Sequence, residues 1–156
     1  MSKFWLIKSE PSEFSIDDLE KSKNQTTYWD GVRNYQARNF IRDEMKIGDK
    51  VLFYHSNTEP NAVVGICEIV KGTYPDHTQF DSKHNHYDPK ADKKNPTWIM
   101  VDIKFVSKFK KPVTLEAIKT NSKLAKMRLI QRGNRLSVMP VIKDEFEEIL
   151  KMGNLG

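Results

Sequence analysis

One cysteine in 156 residues, Cys67, excludes any disulfide within the chain. A small scaffold held by cross-links is therefore ruled out, and a reducing compartment fits. The seven glycines are scattered, with no glycine-rich phosphate loop, and no Gly/Ser or Pro-rich linker divides the chain. C-x-x-C is absent. So is G-x-S-x-G, which leaves serine hydrolase chemistry on that plan unsupported. No internal repeat is visible. No apolar run approaches the length needed to span a bilayer, so no membrane partner is expected. The N-terminus, "MSKFWLIKSEPSEF", reaches charge at Lys8 and Glu10 without a long apolar stretch, which is not the pattern of a signal peptide. The expectation is one domain over residues 1–156 in the cytoplasm, nucleoid-associated or, in a eukaryote, nuclear.

What is present is charge, and it is unevenly placed. The formal net charge is +5 with a pI near 9.2. Residues 103–135 hold ten Lys or Arg and one acid, Glu116, whereas acids gather at 10–20 and 144–148. One strongly positive side is consistent with a polyanionic partner, and equally with a solvated lysine-rich surface.

Hydrophobic periodicity predicts a mixed α+β fold. "KFWLIK", "VLFYHS", "AVVGICEIV" and "TWIMVDIKFVSKF" read as strands, and "RLSVMPV" as a brief extended piece. Ser15 with Asp18 forms the pattern of a capping box for a helix to about Ser22. Asn34 is placed to cap a helix whose Ala37, Phe40, Ile41 and Met45 share one face. Pro112 precedes a predicted helix "TLEAIK", with another near "SKLAKM" and a last one at "KDEFEEILK" ended by Gly153. Residues 74–96 are polar and read as one long loop. The strands do not alternate regularly with helices, so a small, strongly bent, mixed or antiparallel sheet with flanking helices is expected.

Three groups of residues could carry chemistry. His77, Asp81, His84, His86 and Asp88 are metal-ligating types but lack helical spacing; a solvated loop is the plainer reading, and no metal or cofactor is expected. Lys8 and Glu10 could act as an acid–base pair if burial lowered the lysine pKa, or be two exposed charges at a turn. The third group is aromatic and polar: Lys8, Ser9 and Glu10 after the first strand, Trp29 and Asp30 before the second helix, and Tyr54, His55 and Ser56 at a strand end. Each set stands where an apolar element gives way to polar residues, the position from which a rigid scaffold presents a site. An indole and a phenol there can sandwich a flat base, although core packing explains either ring alone. Arg33, Arg38 and Arg42, with Lys108, Lys110, Lys111, Arg128 and Arg132, are candidate phosphate contacts.

"KFWLIKSEP", "YWDGVRNYQARNF", "IGDKVLFYHSN", "VVGICEIV" and "RLSVMPV" resemble, in order, the signature blocks of the EVE domain family. The resemblance implies a PUA-like fold, a strongly bent sheet or open β-barrel with short helices, related to the YTH domains. It implies a non-enzymatic domain that reads a modified base, a modified cytosine in DNA first, by accepting the flipped base in an aromatic pocket. Trp29 would be the stacking wall, Lys8, Ser9 and Glu10 the pocket edge, and Tyr54, His55 and Ser56 the facing side. Arg135, Leu136 and Ser137 would close it. With no effector domain attached, action would need a separate effector protein. The alternatives are a PUA-like RNA binder and a hydrolase of a modified nucleoside using Lys8 and Glu10. The oligomeric state is left open.

Overall fold

A computed structural model of the chain describes residues 3–154; Met1 and Ser2, where the reading of the N-terminus begins, and residues 155–156 lie outside. Six strands and four α-helices follow in the order β1 (Phe4–Ser9), α1 (Ile16–Lys21), β2 (Thr26–Tyr28), α2 (Tyr35–Asp43), β3 (Lys50–His55), β4 (Ala62–Pro75), β5 (Ile99–Thr114), α3 (Leu115–Thr120), β6 (Val138–Val141) and α4 (Lys143–Met152). They form one mixed sheet, β2-β5-β4-β3-β1-β6, in which only β1 and β3 run parallel. The sheet is open, with β2 and β6 at its edges. This is the mixed α+β class that the periodicity predicts.

The parallel β1–β3 pair sets the topology. A parallel neighbour cannot be reached by a tight turn, so the chain must make a long crossover. That crossover carries α1, β2 and α2. Midway, β2 pairs with β5 at the far edge of the sheet. In a flat sheet β1 and β2, four neighbour steps apart, would be about 19 Å distant. Yet Ser9 of β1 and Thr27 of β2 line the same cavity. The sheet is therefore curled. The curl lies in the long β4–β5 ribbon, whose register shifts four times; such bulges raise local twist. At one of them Gly65 is required, since a Cβ there would stand 2.5 Å from the Ser107 carbonyl oxygen.

The predicted helix starts hold. Ser15 Oγ accepts the Asp18 N–H at 3.1 Å while Asp18 accepts the Ser15 N–H at 2.9 Å, and Asn34 Oδ1 accepts the Ala37 N–H at 2.9 Å. Such caps are worth about 1 kcal/mol each. Behind them, Ile16, Leu19, Ala37, Ile41 and Ile118 are buried against Leu6, Phe53 and Ile69 of the sheet. Cys67 is in this core, where burial pushes its thiol pKa up.

Three expectations need correction. The helix after Pro112 forms as α3, but the strand expected over "TWIMVDIKFVSKF" runs on through Pro112 to Thr114, which caps α3 by accepting the Ala117 N–H at 3.1 Å. The missing proline N–H is tolerated there because β2 pairs with β5 only around Asp102–Lys104. The helix expected near "SKLAKM" is a single 3₁₀ turn, Ser122–Leu124. The 74–96 segment is not a solvated loop: Asp76, Thr78 and Gln79 are buried. Gln79 closes it, donating to the Trp98 carbonyl at 2.9 Å and accepting the Trp98 N–H at 3.1 Å. The Asp88 carboxylate accepts the Trp98 indole N–H at 2.7 Å.

Asp49, just before β3, gathers three donors. Its carboxylate accepts the Lys3 N–H at 2.9 Å, the Lys46 N–H at 3.0 Å and the indole N–H of the fully buried Trp5 at 2.9 Å. Asp49→Ala strands those donors, one in the core, and is expected to cost about 2–4 kcal/mol in a urea unfolding experiment. Asp49→Asn, which keeps an acceptor, should lose clearly less; equal losses would refute this role.

Candidate functional site

The cavity that the curl creates has a volume of about 630 Å³. Lys8, Ser9 and Glu10 reach it from the end of β1, Phe14 from the start of the crossover, and Trp29, Asp30 and Gly31 from the chain leaving β2. His84, Asn85 and His86 close the remaining side.

Trp29 is positioned through its backbone. Its N–H donates to the Val101 carbonyl at 2.8 Å, carrying the β2–β5 ladder one residue further. The half-buried ring meets Phe14 and Phe53 edge to face, with centroids 6.1 and 5.7 Å away. Core packing thus fixes the indole while it remains part of the cavity wall. Among the described residues no acceptor meets its ring N–H, and that atom is not sealed from solvent.

The rim is of mixed charge. Lys8 is half-buried, burial lowers its pKa, and among the described residues it has no ion pair. Its backbone N–H donates to the Ser137 carbonyl at 2.9 Å. Ser9 Oγ donates to the Phe14 carbonyl at 2.5 Å, and Glu10 accepts from the Asn57 side-chain amide at 2.5 Å. Asp30 faces both imidazoles, at 3.3 Å from His86 Nδ1 and 3.8 Å from His84 Nε2.

Arg33 holds this wall together. Its Nε and Nη2 donate to the His86 carbonyl at 3.1 and 2.7 Å, and its Nη1 to the Asp76 carboxylate at 2.9 Å and the Val32 carbonyl at 3.1 Å. Nη2 also donates to Thr78 Oγ1 at 3.2 Å, and the guanidinium lies 5.3 Å from the Trp98 ring. All five N–H groups are engaged, so Arg33 has none left for a phosphate. That expectation is corrected: Arg33 is a clasp between the segment after β2 and the β4–β5 connection.

The other predicted residues divide. Tyr54, His55 and Ser56 do not face the cavity. Tyr54 is 2% exposed and belongs to the core, where burial raises its pKa. His55 Nε2 accepts the Ile16 N–H at 3.1 Å, and burial lowers the ring's pKa, so it serves the start of α1 as a neutral acceptor. The Ser56 N–H donates to the Ser9 carbonyl. Their place opposite Lys8, Ser9 and Glu10 is taken by His84, Asn85 and His86. Arg135 and Leu136 line a second cavity of about 440 Å³ together with Arg128 and Arg132, and no acid lines it. Ser137 joins the two regions through its bond to Lys8. Arg38 donates to Asn39 and to the Thr97 carbonyl, Arg42 pairs with Asp43, and Lys108 pairs with Asp17 at 2.8 Å. Lys110 and Lys111 are exposed and line neither cavity.

Glu13, Phe14, Thr27, Gly31 and Asn85 are wall residues that the sequence does not single out, and His84 and His86 read there only as loop residues. Gly31 had a signal: it follows Trp29-Asp30 and adopts φ of +83°, where other residues are strained. A Cβ there would also stand 2.5 Å from the His86 ring.

Comparison with known proteins agrees with the sequence blocks. The family described as EVE domain matches residues 3–152. Thymocyte nuclear protein 1 of Gallus gallus is 47% identical over 165 residues, covering 95% of this chain and 67% of that protein. A hypothetical protein from Leishmania major superposes with a TM-score of 0.93 at 49% identity, covering 99% of this chain and 96% of the other. Human THYN1 protein, in complex with DNA containing 5-methylcytosine, gives 0.91 at 44% identity, covering 97% and 98%. A YTH domain from Zygosaccharomyces rouxii shares the fold, with a TM-score of 0.53 at 14% identity.

The clasp predicts a pH dependence. Burial alone would raise the Asp76 pKa, but hydrogen bonds from Thr78, Gly31 and Arg33 together hold it below the ordinary value. A depressed folded pKa stabilises above the unfolded value, about 3.9, and that contribution disappears as pH falls through the folded one. The stability advantage of the wild type over Asp76→Asn should therefore shrink below about pH 4. Arg33→Ala, which leaves Asp76 charged and buried, is expected to cost about 3–5 kcal/mol at pH 7. Urea unfolding across pH checks both, and a pH-independent difference for Asp76→Asn would contradict the assignment.

Proposed function

The chain belongs to the EVE domain family, and from that membership we propose that it binds DNA carrying a methylated cytosine and takes the modified base, turned out of the duplex, into the cavity beside Trp29. The observation that carries this reading is the half-buried indole, braced by Phe14 and Phe53 at the wall of a 630 Å³ cavity. A pyrimidine inside a duplex shows neither face, so stacking it on the indole requires extrusion. Extrusion costs a few kcal/mol. Stacking offsets about 1–3 kcal/mol of it, and hydrogen bonds to the base edge supply the rest. Lys8 and the Glu10 and Asp30 carboxylates are the groups available for that edge. The arginines of the second cavity, Arg128, Arg132 and Arg135, are suited to the flanking phosphates. No catalytic role is needed for any of them.

Lys8 favours one rival. An amine whose pKa is lowered by burial, with Glu10 at the same cavity, suits acid–base work on a modified nucleoside. Product formation from methylated or acylated nucleosides, lost in Lys8→Ala, would establish that reading in place of the first.

Trp29→Ala should weaken binding to methylated DNA by roughly 5- to 150-fold, the equivalent of the stacking energy, and binding to unmodified DNA much less. Arg132→Ala with Arg135→Ala should weaken both alike and reduce the salt slope by about 0.9 for each phosphate contact removed. Fluorescence anisotropy with paired duplexes measures both. Equal loss on the two DNAs in Trp29→Ala would make the indole scaffold and overturn the reading.

A further inference from the structure

We propose that Asp30, His84 and His86 form a binding site for a divalent first-row transition ion of the zinc class at the mouth of the cavity. One ligand atom from each residue lies within 4.8 Å of the others. Asp30 comes from the crossover and the histidines from the β4–β5 connection, fifty-four and fifty-six residues away in sequence, so the cluster is made by the fold. Two imidazoles and one carboxylate are the donor set of an open zinc-type site, with three protein ligands and a position left for water or substrate. Ligand atoms around a tetrahedral zinc stand about 3.3 Å apart, as its bond lengths require. The Asp30–His86 separation is 3.3 Å already, and the Asp30–His84 separation of 3.8 Å needs a small closure.

The surroundings favour a cation. Glu10 and Glu13 line the same cavity as Asp30, against one amine, Lys8. His86 is also held from behind, as metal-site ligands generally are. Arg33 grips the His86 carbonyl, and the His86 ring lies against Gly31, where no side chain could fit. Asp30 has no other hydrogen-bond partner among the described residues. All three ligands are one-quarter to one-third exposed, open enough for an ion to enter.

Loading involves one proton shift. His84 Nδ1 accepts the His86 N–H at 3.0 Å, so the neutral ring carries its proton on Nε2, the atom nearer Asp30. When Nε2 gives its lone pair to the ion, that proton moves to Nδ1 and the His86 N–H turns to water. The carboxylate gives an oxygen lone pair, His86 a nitrogen lone pair, and no electron is transferred. Because all three ligands line the cavity, the remaining coordination position opens onto it, where a water or an oxygen of a bound molecule can occupy it.

The test uses tag-free, metal-stripped protein without nucleic acid, so its result is independent of the functional reading above. Titration with Co²⁺ should show saturable one-to-one uptake with the visible absorption of a tetrahedral site, displaced by Zn²⁺. His84→Asn, His86→Asn and Asp30→Asn should each weaken uptake at least tenfold, and His77→Asn, outside the cluster, should leave it unchanged. In the unaltered protein, substoichiometric Co²⁺ should broaden the ring resonances of His84 and His86 but not those of His55 and His77. Absence of saturable uptake, uptake unchanged in His84→Asn, or broadening of all four histidines alike would overturn the proposal.

Discussion

The ion pair between Arg33 and Asp76 is the contact on which the cavity depends. Asp76 is 0% exposed, and its carboxylate is saturated: one oxygen accepts the Thr78 N–H and hydroxyl, the other the Gly31 N–H and the Arg33 guanidinium. Burying two charges costs several kcal/mol per ion, which attraction offsets only when the remaining lone pairs and protons are also satisfied. Here both partners are complete. The gain is definition of geometry more than stability. The clasp ties the chain leaving β2 to the connection between β4 and β5, and these carry adjoining walls of the cavity. Without it Trp29 would still be aligned by β5, but the backbone of His86 would lose its anchor to the chain leaving β2.

The curl of the sheet is the second requirement, and it follows from the β4–β5 ribbon. A flat sheet would keep β1 and β2 apart and expose both faces of their connection. Bulges at Gly65 and beyond bend the ribbon until the crossover can touch both edges of the site. The indole of Trp29 then packs edgewise on Phe53, from the strand next to β1. The wall is rigid because it is an outgrowth of the core.

Much of this was legible in the sequence, for local reasons. Ser15–Asp18 and Asn34 announce helix starts because a cap is satisfied within three residues. β1, β3 and β4 announce themselves as apolar runs. Lys8 to Glu10 and Trp29 to Asp30 stand next to such elements, and they do line one cavity. What failed needed tertiary information. Arg33 reads as a surface arginine because its partner stands 43 residues away, in a segment whose polarity suggests solvent. Tyr54, His55 and Ser56 end a strand just as Lys8, Ser9 and Glu10 do, but periodicity cannot say which strands are neighbours or what covers them. β2, three residues long, is too short to leave a period at all.

The distribution of charge between the two cavities bears on how a polyanion could be oriented. Three carboxylates and one amine line the cavity beside Trp29, whereas three arginines and no acid line the second. A phosphate drawn to the first would meet carboxylates; at 8 Å and an effective dielectric near 20, each like-charge pair costs about 2 kcal/mol. The same phosphate at the second cavity is attracted on a similar scale. A neutral heterocycle pays no such penalty and can use carboxylates as acceptors for its amino groups. Under the proposed function these charges favour a base toward the indole and a phosphate backbone toward the arginines. Ser137, bonded to Lys8 and adjoining Leu136, is the short bridge between those destinations. The cation proposed at Asp30, His84 and His86 would neutralise part of this acidic lining and so weaken its repulsion of a phosphate.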